Sequence, residues 1–273
     1  MKTKQFKLAL GLLALVILHL FPATALAANS DFASLKQIEG DTINPATDST
    51  YSQVKDKLKT GDLLLFVGFD PAGIGIIYLE MDILNIKPFT HVGIVFDLPA
   101  SNGQPAGLYF WQAAPGDPND PDRFGPDYIK GVPSDGAQMV SLDSLMAYVK
   151  AIPLDTEPMI VTVRPLEKAL TSQEEADLLH YARTVSGRSF SYPTDGGMVV
   201  DYVAGAAGKQ SGNESFFCSK LASQTFYEAG LIEEVITNSV LPGHFAITPD
   251  NPENKINFTI DNQFGQITPI WPY

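Results

Sequence analysis

The sequence predicts an α+β domain in which helices cover a central antiparallel sheet. Short apolar runs bounded by turn residues indicate buried strands, and the clearest is Leu63–Val67, which follows Gly61-Asp62. Two stretches with marked ends indicate helices. One begins at the capping box Thr171-Ser172-Gln173-Glu174 and ends at Gly187, and the other covers residues 215–230. The chain is long enough for one well-packed domain, and no internal repeat is visible.

Residues 1–27 have the pattern of a secretory signal peptide. Three lysines lie within the first seven residues, residues 8–21 are apolar, and Ala25-Leu26-Ala27 is a small-residue cleavage site. The apolar run is short for a membrane span, and Pro22 closes it. We therefore expect an exported product, periplasmic or extracellular, with no transmembrane segment once the signal is removed.

The net charge of the chain excludes some partners. The formal charge is -13, and it becomes -16 when the three lysines of the signal peptide are removed. So acidic a protein is a poor candidate for binding nucleic acid or an anionic membrane surface. Oligomeric state does not follow from the sequence.

Cys218 is the only cysteine. In an exported protein a single cysteine cannot form an internal disulfide, so stability must come from the core. The residue is then either a small buried hydrophobe or a free thiol that serves chemistry.

The remaining chain is predicted to contain an N-terminal leader, residues 28–59, and one domain, residues 60–273. The leader ends in a short helix over residues 51–58. Residues 74–86 are apolar apart from two acids, and we interpret them as a helix or a flap that packs on the core. Further strands are expected over residues 137–142 and 159–166, with a helix over 142–150 between them, and residues 256–270 supply one or two closing strands.

Two β-rich runs, residues 90–96 and 108–113, are joined by a turn-rich linker and are predicted to form an antiparallel pair. If Phe96 pairs with Gly107, the register carries His91 opposite Gln112. Cross-strand partners lie close enough for their side chains to touch, so this register predicts a contact between these two side chains.

The helix over residues 215–230 carries Cys218. Ser215 fits an N-cap, and Gly230 fits the left-handed residue after a helix. Cys218 lies at the first turn on the apolar side, with Leu221, Ala222, Thr225 and Ala229, while the other side consists of Lys220, Gln224, Tyr227 and Glu228. A thiol at this position is beside unpaired backbone N–H groups, which favour the reactive thiolate.

A cysteine nucleophile needs a base and a third group that orients the base. His91 begins a buried-looking strand and is the best candidate for the base; the alternative is a hydrogen-bonded strand-end histidine without a catalytic role. His180 falls on the polar face of its helix, which indicates a solvated residue. His244 lies in a loop with Pro and Gly and is a weaker candidate for the base.

Gln112 is the candidate for the orienting group. Its amide oxygen can accept a hydrogen bond from the ring N–H of His91 and so fix the tautomer, although it cannot add the negative charge of a glutamate. The backbone N–H of Cys218 and a second donor, for which we name Tyr192, would stabilise an oxyanion. The alternative for Tyr192 is a packing role.

The sequence lacks the motifs that are typical of other kinds of functional site. There is no metal-spaced His/Cys cluster, no HExxH, no Walker loop, no GxSxG elbow and no dinucleotide fingerprint. Residues 115–133 contain several aspartates without the spacing of an EF-hand, so we expect a solvated acidic insertion. The sequence therefore predicts neither a cofactor nor a metal.

Three motifs in this order resemble the permuted NlpC/P60 superfamily, and most closely the YiiX/YaeF-like permuted papain-fold amidases. They are Gly61-Asp62-Leu63-Leu64-Leu65-Phe66, Thr90-His91-Val92-Gly93-Ile94-Val95 and Phe217-Cys218-Ser219-Lys220-Leu221. In that group the histidine strand precedes the cysteine helix, as it does here. Residues 247–250 also resemble the closing segment of the family, so the resemblance covers residues 61–250.

The resemblance implies a circularly permuted papain-like fold with the cysteine helix packed against the central sheet. It also implies that Cys218 is the nucleophile and His91 the general base of a hydrolase that acts through an acyl-enzyme on amide or peptide bonds of the cell envelope. The family commonly has Glu where this chain has Gln112, which implies altered or reduced activity. Two alternatives stay open: a lipid acyltransferase or esterase of the lecithin:retinol acyltransferase-like type, and an inactive envelope-binding module.

Overall fold

The computed structural model describes residues 49–68, 89–115, 123–152, 160–192, 197–247 and 254–271. The signal peptide, most of the leader, residues 74–86 and residues 248–250 lie outside these ranges, so the predictions made for them remain predictions.

Within the described residues the chain forms strands and helices in the following order. The strands are β1 (Ser49–Thr50), β2 (Leu63–Val67), β3 (His91–Leu98), β4 (Gly107–Ala114), β5 (Gly136–Ser141), β6 (Ile160–Arg164), β7 (Ser189–Phe190), β8 (Ser215–Phe216) and β9 (Thr268–Trp271). The helices are α1 (Tyr51–Val54), α2 (Leu142–Ala151), α3 (Ser172–Val185), α4 (Gly197–Ala206) and α5 (Cys218–Glu228). Short 3-10 helices cover Lys55–Lys57, Thr237–Ser239 and Pro242–Ala246. The predicted α+β class is confirmed.

Seven strands form one sheet in the order β1-β9-β6-β2-β3-β4-β5. All neighbours from β9 to β5 are antiparallel, and β1 joins β9 in parallel. β7 and β8 form a separate parallel pair. The strand predicted at residues 63–67 is confirmed as β2, at the centre of the large sheet.

Helices cover both faces of this sheet, and each face has its own apolar core. α3 and α5 pack on one face and form the first core, which includes Ile94, Trp111 and Leu221. α2 packs on the other face and forms the second core, which includes Phe66 and Phe110. Because both faces are covered, β2 is buried along its whole length, which explains its uninterrupted apolar sequence.

The ends of α3 agree with the sequence prediction. The side chain of Thr171 accepts a hydrogen bond from the N–H of Glu174, and the Thr171 N–H donates to the Glu174 carboxylate at 2.6 Å. After the helix, Gly187 adopts a φ of 74°, the left-handed conformation that glycine reaches at low cost. His180 is exposed on the outer face of α3, as predicted.

The register predicted for β3 and β4 is wrong by two residues. Phe96 pairs with Tyr109, not with Gly107, because β3 continues to Leu98 before the chain turns. The connection between β3 and β4 is therefore shorter than predicted. Within it, Asn102 has a φ of 51° and Gly103 has a φ of 75°. A shift of two residues leaves every side chain on its original face, so the consequence for the candidate site is small.

The predicted acidic insertion differs from the prediction at Asp127, while residues 116–122 lie outside the described residues. Asp127 is fully buried, and its carboxylate accepts hydrogen bonds from the backbone N–H groups of Ile129, Lys130 and Met139 at 2.7–2.8 Å. Burial raises the pKa of Asp127, and these hydrogen bonds oppose the shift. The residue is therefore an internal cap that ties this loop to β5, not a solvated acid.

Candidate functional site

The start of β3 is fixed by Thr90. Its hydroxyl donates to the carbonyl of Phe66 at 3.2 Å and accepts from the N–H of Gly68 at 2.8 Å. These bonds hold the residue before His91 against the end of β2. As the first residue of β3, His91 lies at one end of the central sheet, where it is half-buried.

α5 is anchored along the first core. The indole N–H of Trp111 in β4 donates to the hydroxyl of Thr225 at 2.9 Å, in a fully buried contact. Nearer the start of the helix, the hydroxyl of Ser219 donates to the carbonyl of Val240 at 2.8 Å. The helix therefore packs against the sheet, as predicted, in a fixed position along β3 and β4.

The helix begins later than the sequence predicts. Ser215 does not cap it, because Ser215–Phe216 form β8, which pairs with β7. Phe217 is the N-cap, in extended conformation, and Cys218 is the first helical residue. Because phenylalanine has no side-chain acceptor, Phe217 does not cap the first-turn N–H groups of α5 as a serine would.

This start brings Cys218 to the same end of the sheet as His91. The sulfur lies 4.0 Å from the carbonyl oxygen of Thr90, one peptide unit before the histidine. The cysteine is 7% exposed. Two residues that are far apart in the sequence thus lie at the same end of the sheet, at the start of β3.

His91 is held by Gln112. The ring Nε2 and the amide Oε1 are 2.7 Å apart, and Gln112 is buried in β4. The ring also packs at a tilt against Phe66 and Phe110, with centroid separations of 5.6 and 6.1 Å. Because an amide oxygen only accepts, Nε2 must carry the proton in this contact, and in the neutral ring the lone pair then lies on Nδ1.

The contact between His91 and Gln112 forms although the predicted register is wrong. Diagonal neighbours on one face of an antiparallel pair stay within reach of long side chains. Gly93 lies in β3, two residues after His91. A Cβ atom at this position would be 2.4 Å from the Phe110 ring and 2.5 Å from the Trp111 carbonyl of β4. The absence of a side chain at Gly93 therefore lets β3 and β4 pack closely next to the pair.

The thiol and the imidazole approach this end of the sheet from different faces. His91 packs with Phe66 and Phe110, which belong to the second core, whereas Cys218 belongs to the first core. The two residues can meet only at the end of the sheet, which is where the start of α5 and the start of β3 lie.

A polar residue that the sequence reasoning missed lies next to Gln112. Gln138 in β5 is the direct cross-strand partner of Gln112, and both are 2% exposed. Among the described residues, neither side-chain Nε2 has a hydrogen-bond partner. The signal was present in the sequence, since Gln138 is an amide in the middle of an otherwise apolar strand.

Tyr192 follows β7, close to the start of α5. Phe190 pairs with Phe216, two residues before Cys218, and the Ser191 N–H donates to the Phe216 carbonyl at 2.8 Å. The Tyr192 ring packs edge-on against Phe190 with centroids 5.2 Å apart. Its role at an oxyanion stays a prediction.

On the side of α5 away from Cys218, Lys220 and Gln224 are buried, whereas Tyr227 is half-buried and Glu228 is exposed. The Nζ of Lys220 lies 3.0 Å from a carboxylate oxygen of Asp201 in α4 and donates to the carbonyls of Gly212 and Ser215. Gln224 is bonded to Thr237 at 2.6 Å. The reason is tertiary: α4 and the 3-10 helix Thr237–Ser239 cover this side, so its polar groups are paired internally.

His244 forms its hydrogen bond within its own turn, not with His91 or Cys218. It is 1% exposed, and its Nδ1 accepts a hydrogen bond from the N–H of Leu241 at 2.9 Å. Burial, together with the positive charge of Lys255, lowers the pKa of His244 to about 3. The ring is therefore neutral at physiological pH and has a structural role in the Pro242–Ala246 turn.

Three further observations concern the surroundings of the candidate site. A surface cleft of about 460 Å³ is lined by Asp177, Tyr181, Arg188, Glu228 and other residues of α3 and the end of α5, and it does not include the predicted site residues. In the described part of the chain, no group of three His, Cys, Asp or Glu side chains is placed to hold a metal ion. None of the described helices is long and apolar enough to cross a membrane.

Comparison with known proteins finds distant likeness among solved structures. No protein-family model matches the sequence, and no curated protein matches it. Among solved structures, the metalloprotein YiiX from Escherichia coli O157:H7 is similar over 78% of this chain and 98% of its own, with 13% identity and a TM-score of 0.40.

Proposed function

We propose that this protein is an exported cysteine hydrolase of the permuted NlpC/P60 type, with Cys218 as nucleophile, His91 as general base and Gln112 as the group that orients His91. The observation that carries the proposal is the position of the Cys218 sulfur, 4.0 Å from the carbonyl of the residue before His91. The motif resemblance supports the same residues in the same roles.

The contact with Gln112 supports the role of His91 as a base. Because Nε2 is bonded to the amide oxygen, Nδ1 is the nitrogen that can accept a proton from the thiol. Gln112 is buried, so its amide is held in place by packing. A base with a fixed tautomer and orientation is what a thiol nucleophile requires.

The start of α5 supports the activation of the thiol. Cys218 is the first residue of an eleven-residue helix whose N-cap has no side-chain acceptor. The positive end of the helix dipole favours a thiolate at this position. The same backbone N–H groups are of the kind that stabilises an oxyanion, and Tyr192 is the candidate for a second donor.

The proposed reaction has two stages. His91 takes the thiol proton, the thiolate attacks the carbonyl carbon of an amide, and the imidazolium returns the proton to the leaving amine as the carbon–nitrogen bond breaks. Water then attacks the thioester, with His91 as base, and the carboxylic acid and the free thiol are released. No cofactor takes part.

The proposed substrate is an amide or peptide bond of the cell envelope, and it rests on the resemblance alone. A specific observation favours an inactive binding module as the second candidate: the group beside His91 is a neutral amide, so no carboxylate stabilises the imidazolium at that contact. A lipid ester or acyl donor is the remaining alternative for an active enzyme.

The test is the rate of alkylation of Cys218 by iodoacetamide across pH, since no other cysteine reacts. The proposal expects an apparent thiol pKa well below the free-thiol value of about 8.5. His91→Ala should shift the profile toward that of a model thiol, leaving only the smaller effect of the start of α5. The matched control is His180→Ala, because His180 is exposed on α3 and should leave the profile unchanged.

Turnover is then measured with muropeptides and with phospholipid vesicles, using Cys218→Ala as the blank. Hydrolysis of muropeptides that disappears in Cys218→Ala supports the proposal, whereas activity on vesicles alone would favour the lipid enzyme. A wild-type thiol that reacts no faster than a model thiol, together with no turnover, would show an inactive module.

A further inference from the structure

The side chains of Gln112 and Gln138 form a pair of buried amides beside the candidate site. They are opposite one another in the β4–β5 register, on the same face of the sheet as His91 and Phe110. Each is 2% exposed. The Nε2 atoms of both have no hydrogen-bond partner among the described residues.

The bonding of Gln112 is incomplete in a particular way. Its oxygen is engaged by His91, which leaves the amide nitrogen with two donors and no acceptor. On the β3 side, Gly93 offers no side chain, and the Phe110 ring packs over it. On the β5 side, the side chain placed opposite by the register is that of Gln138.

An amide can complete this arrangement because one end donates and the other accepts. A half-turn of its terminal torsion exchanges the two ends. With its oxygen presented to Gln112, Gln138 supplies the acceptor that the Gln112 amide nitrogen lacks. Buried N–H groups without acceptors are costly, so this arrangement is favoured over the unpaired one.

We infer that Gln138 is a positioning residue for His91, acting through Gln112. By accepting from the Gln112 amide nitrogen, it keeps the Gln112 oxygen toward the imidazole and thereby keeps the proton on Nε2. The catalytic role of Gln138 rests on the proposed function, but the inference itself concerns only which nitrogen of the His91 ring carries the proton.

The experiment is the tautomer of His91, observed by long-range proton–nitrogen NMR of the purified protein labelled with ¹⁵N-histidine. In wild type the Nε2–H form should dominate. Gln138→Met, which removes the amide at similar length, should lower the ratio of Nε2–H to Nδ1–H about fivefold, the ratio that one ordinary hydrogen bond sets. Gln138→Glu, which keeps an acceptor, should retain the wild-type ratio.

The controls separate positioning from packing. Val140→Ala removes buried volume from the same strand and face and should lower stability without changing the His91 ratio. His244 is an internal reference, because its Nδ1 accepts from a backbone N–H and its proton must stay on Nε2 in every variant. If Gln138→Met fails to fold, Gln138→Asn, whose amide is one methylene shorter, takes its place with the same expected loss.

An unchanged His91 tautomer in Gln138→Met or Gln138→Asn would overturn the inference, as would an equal change in Val140→Ala. The readout does not need a substrate or a reactive thiol. If Cys218 reacts as an ordinary thiol in wild type, the proposed function fails while the tautomer measurement still decides the role of Gln138.

Discussion

Replacing Gln112 tests the proposed site where its geometry is best defined. In Gln112→Leu the His91 ring loses the acceptor at 2.7 Å that stabilises its protonated form. A hydrogen bond to a charged group contributes about 1.5–3 kcal/mol, so the thiolate–imidazolium pair should become roughly tenfold to hundredfold less populated. Global stability should change by less than about 1 kcal/mol, because the substitution also removes a buried amide nitrogen that has no described partner.

The assay is the alkylation rate of Cys218 at pH 6, with urea unfolding measured on the same samples. At this pH a free thiol is almost entirely protonated, so the rate reports the activated fraction. Thr162→Val is the matched control, because Thr162 is a buried polar residue of β6, which β2 and β3 separate from β4 and Gln112 in the same sheet. Its alkylation rate should equal that of wild type.

Gln112→Glu is the complementary variant. A carboxylate at this position adds the negative charge that the amide lacks, so the alkylation rate should stay at the wild-type level or rise. If Gln112→Leu reacts as fast as wild type while remaining folded, Gln112 does not orient a catalytic base, and the contact is only structural. Misfolding of Gln112→Glu would indicate a packing role.

Three further predictions concern stability. Gly93→Ala would place its Cβ 2.4 Å from a ring atom of Phe110 and should cost about 1–3 kcal/mol in urea unfolding, with a smaller loss contradicting the close approach of the strands. Asp201→Asn leaves Lys220 buried without its anion and should cost about 3 kcal/mol, part of which a second change, Lys220→Met, should recover in thermal unfolding. The pKa of His244 is lowered to about 3 in the folded protein, so between that value and about 6.5 the unfolded chain binds a proton that the folded protein does not. The free energy of unfolding should therefore fall by about 2 kcal/mol as the pH is lowered from 7 to 5. His244→Gln should lose this component, and an unchanged pH dependence in that variant would contradict the burial of a neutral ring.

Local signals predicted the elements that carry the site. The apolar run of β2, the capping box at Thr171 and the glycine after α5 each specify a local structure through a short-range mechanism, and each is present. The contact between His91 and Gln112 followed from the alternation of side chains along paired strands, which a register shift of two residues does not alter.

The features that were missed depend on residues distant in the sequence. Nothing near Lys220 in the sequence indicates that α4 and a later 3-10 helix cover it, so helical spacing alone placed it only on the side of α5 away from Cys218. The same holds for Asp127, whose three backbone donors include one from β5. The extent of β3 was missed because strand ends depend on the turn that follows, here through Asn102 with its positive φ.

The position of β9 has a consequence for how the sheet is assembled. β9 lies between β6 and β1, although about 100 residues separate it from β6 in the chain, so this pairing is among the slowest to form. Until β9 docks, β6 presents an open row of backbone donors and acceptors at the sheet edge. A folding intermediate in which β2 to β6 are already paired would therefore tend to self-associate through the open edge of β6. Pairing of residues 268–271 with β6 covers this edge and prevents that association.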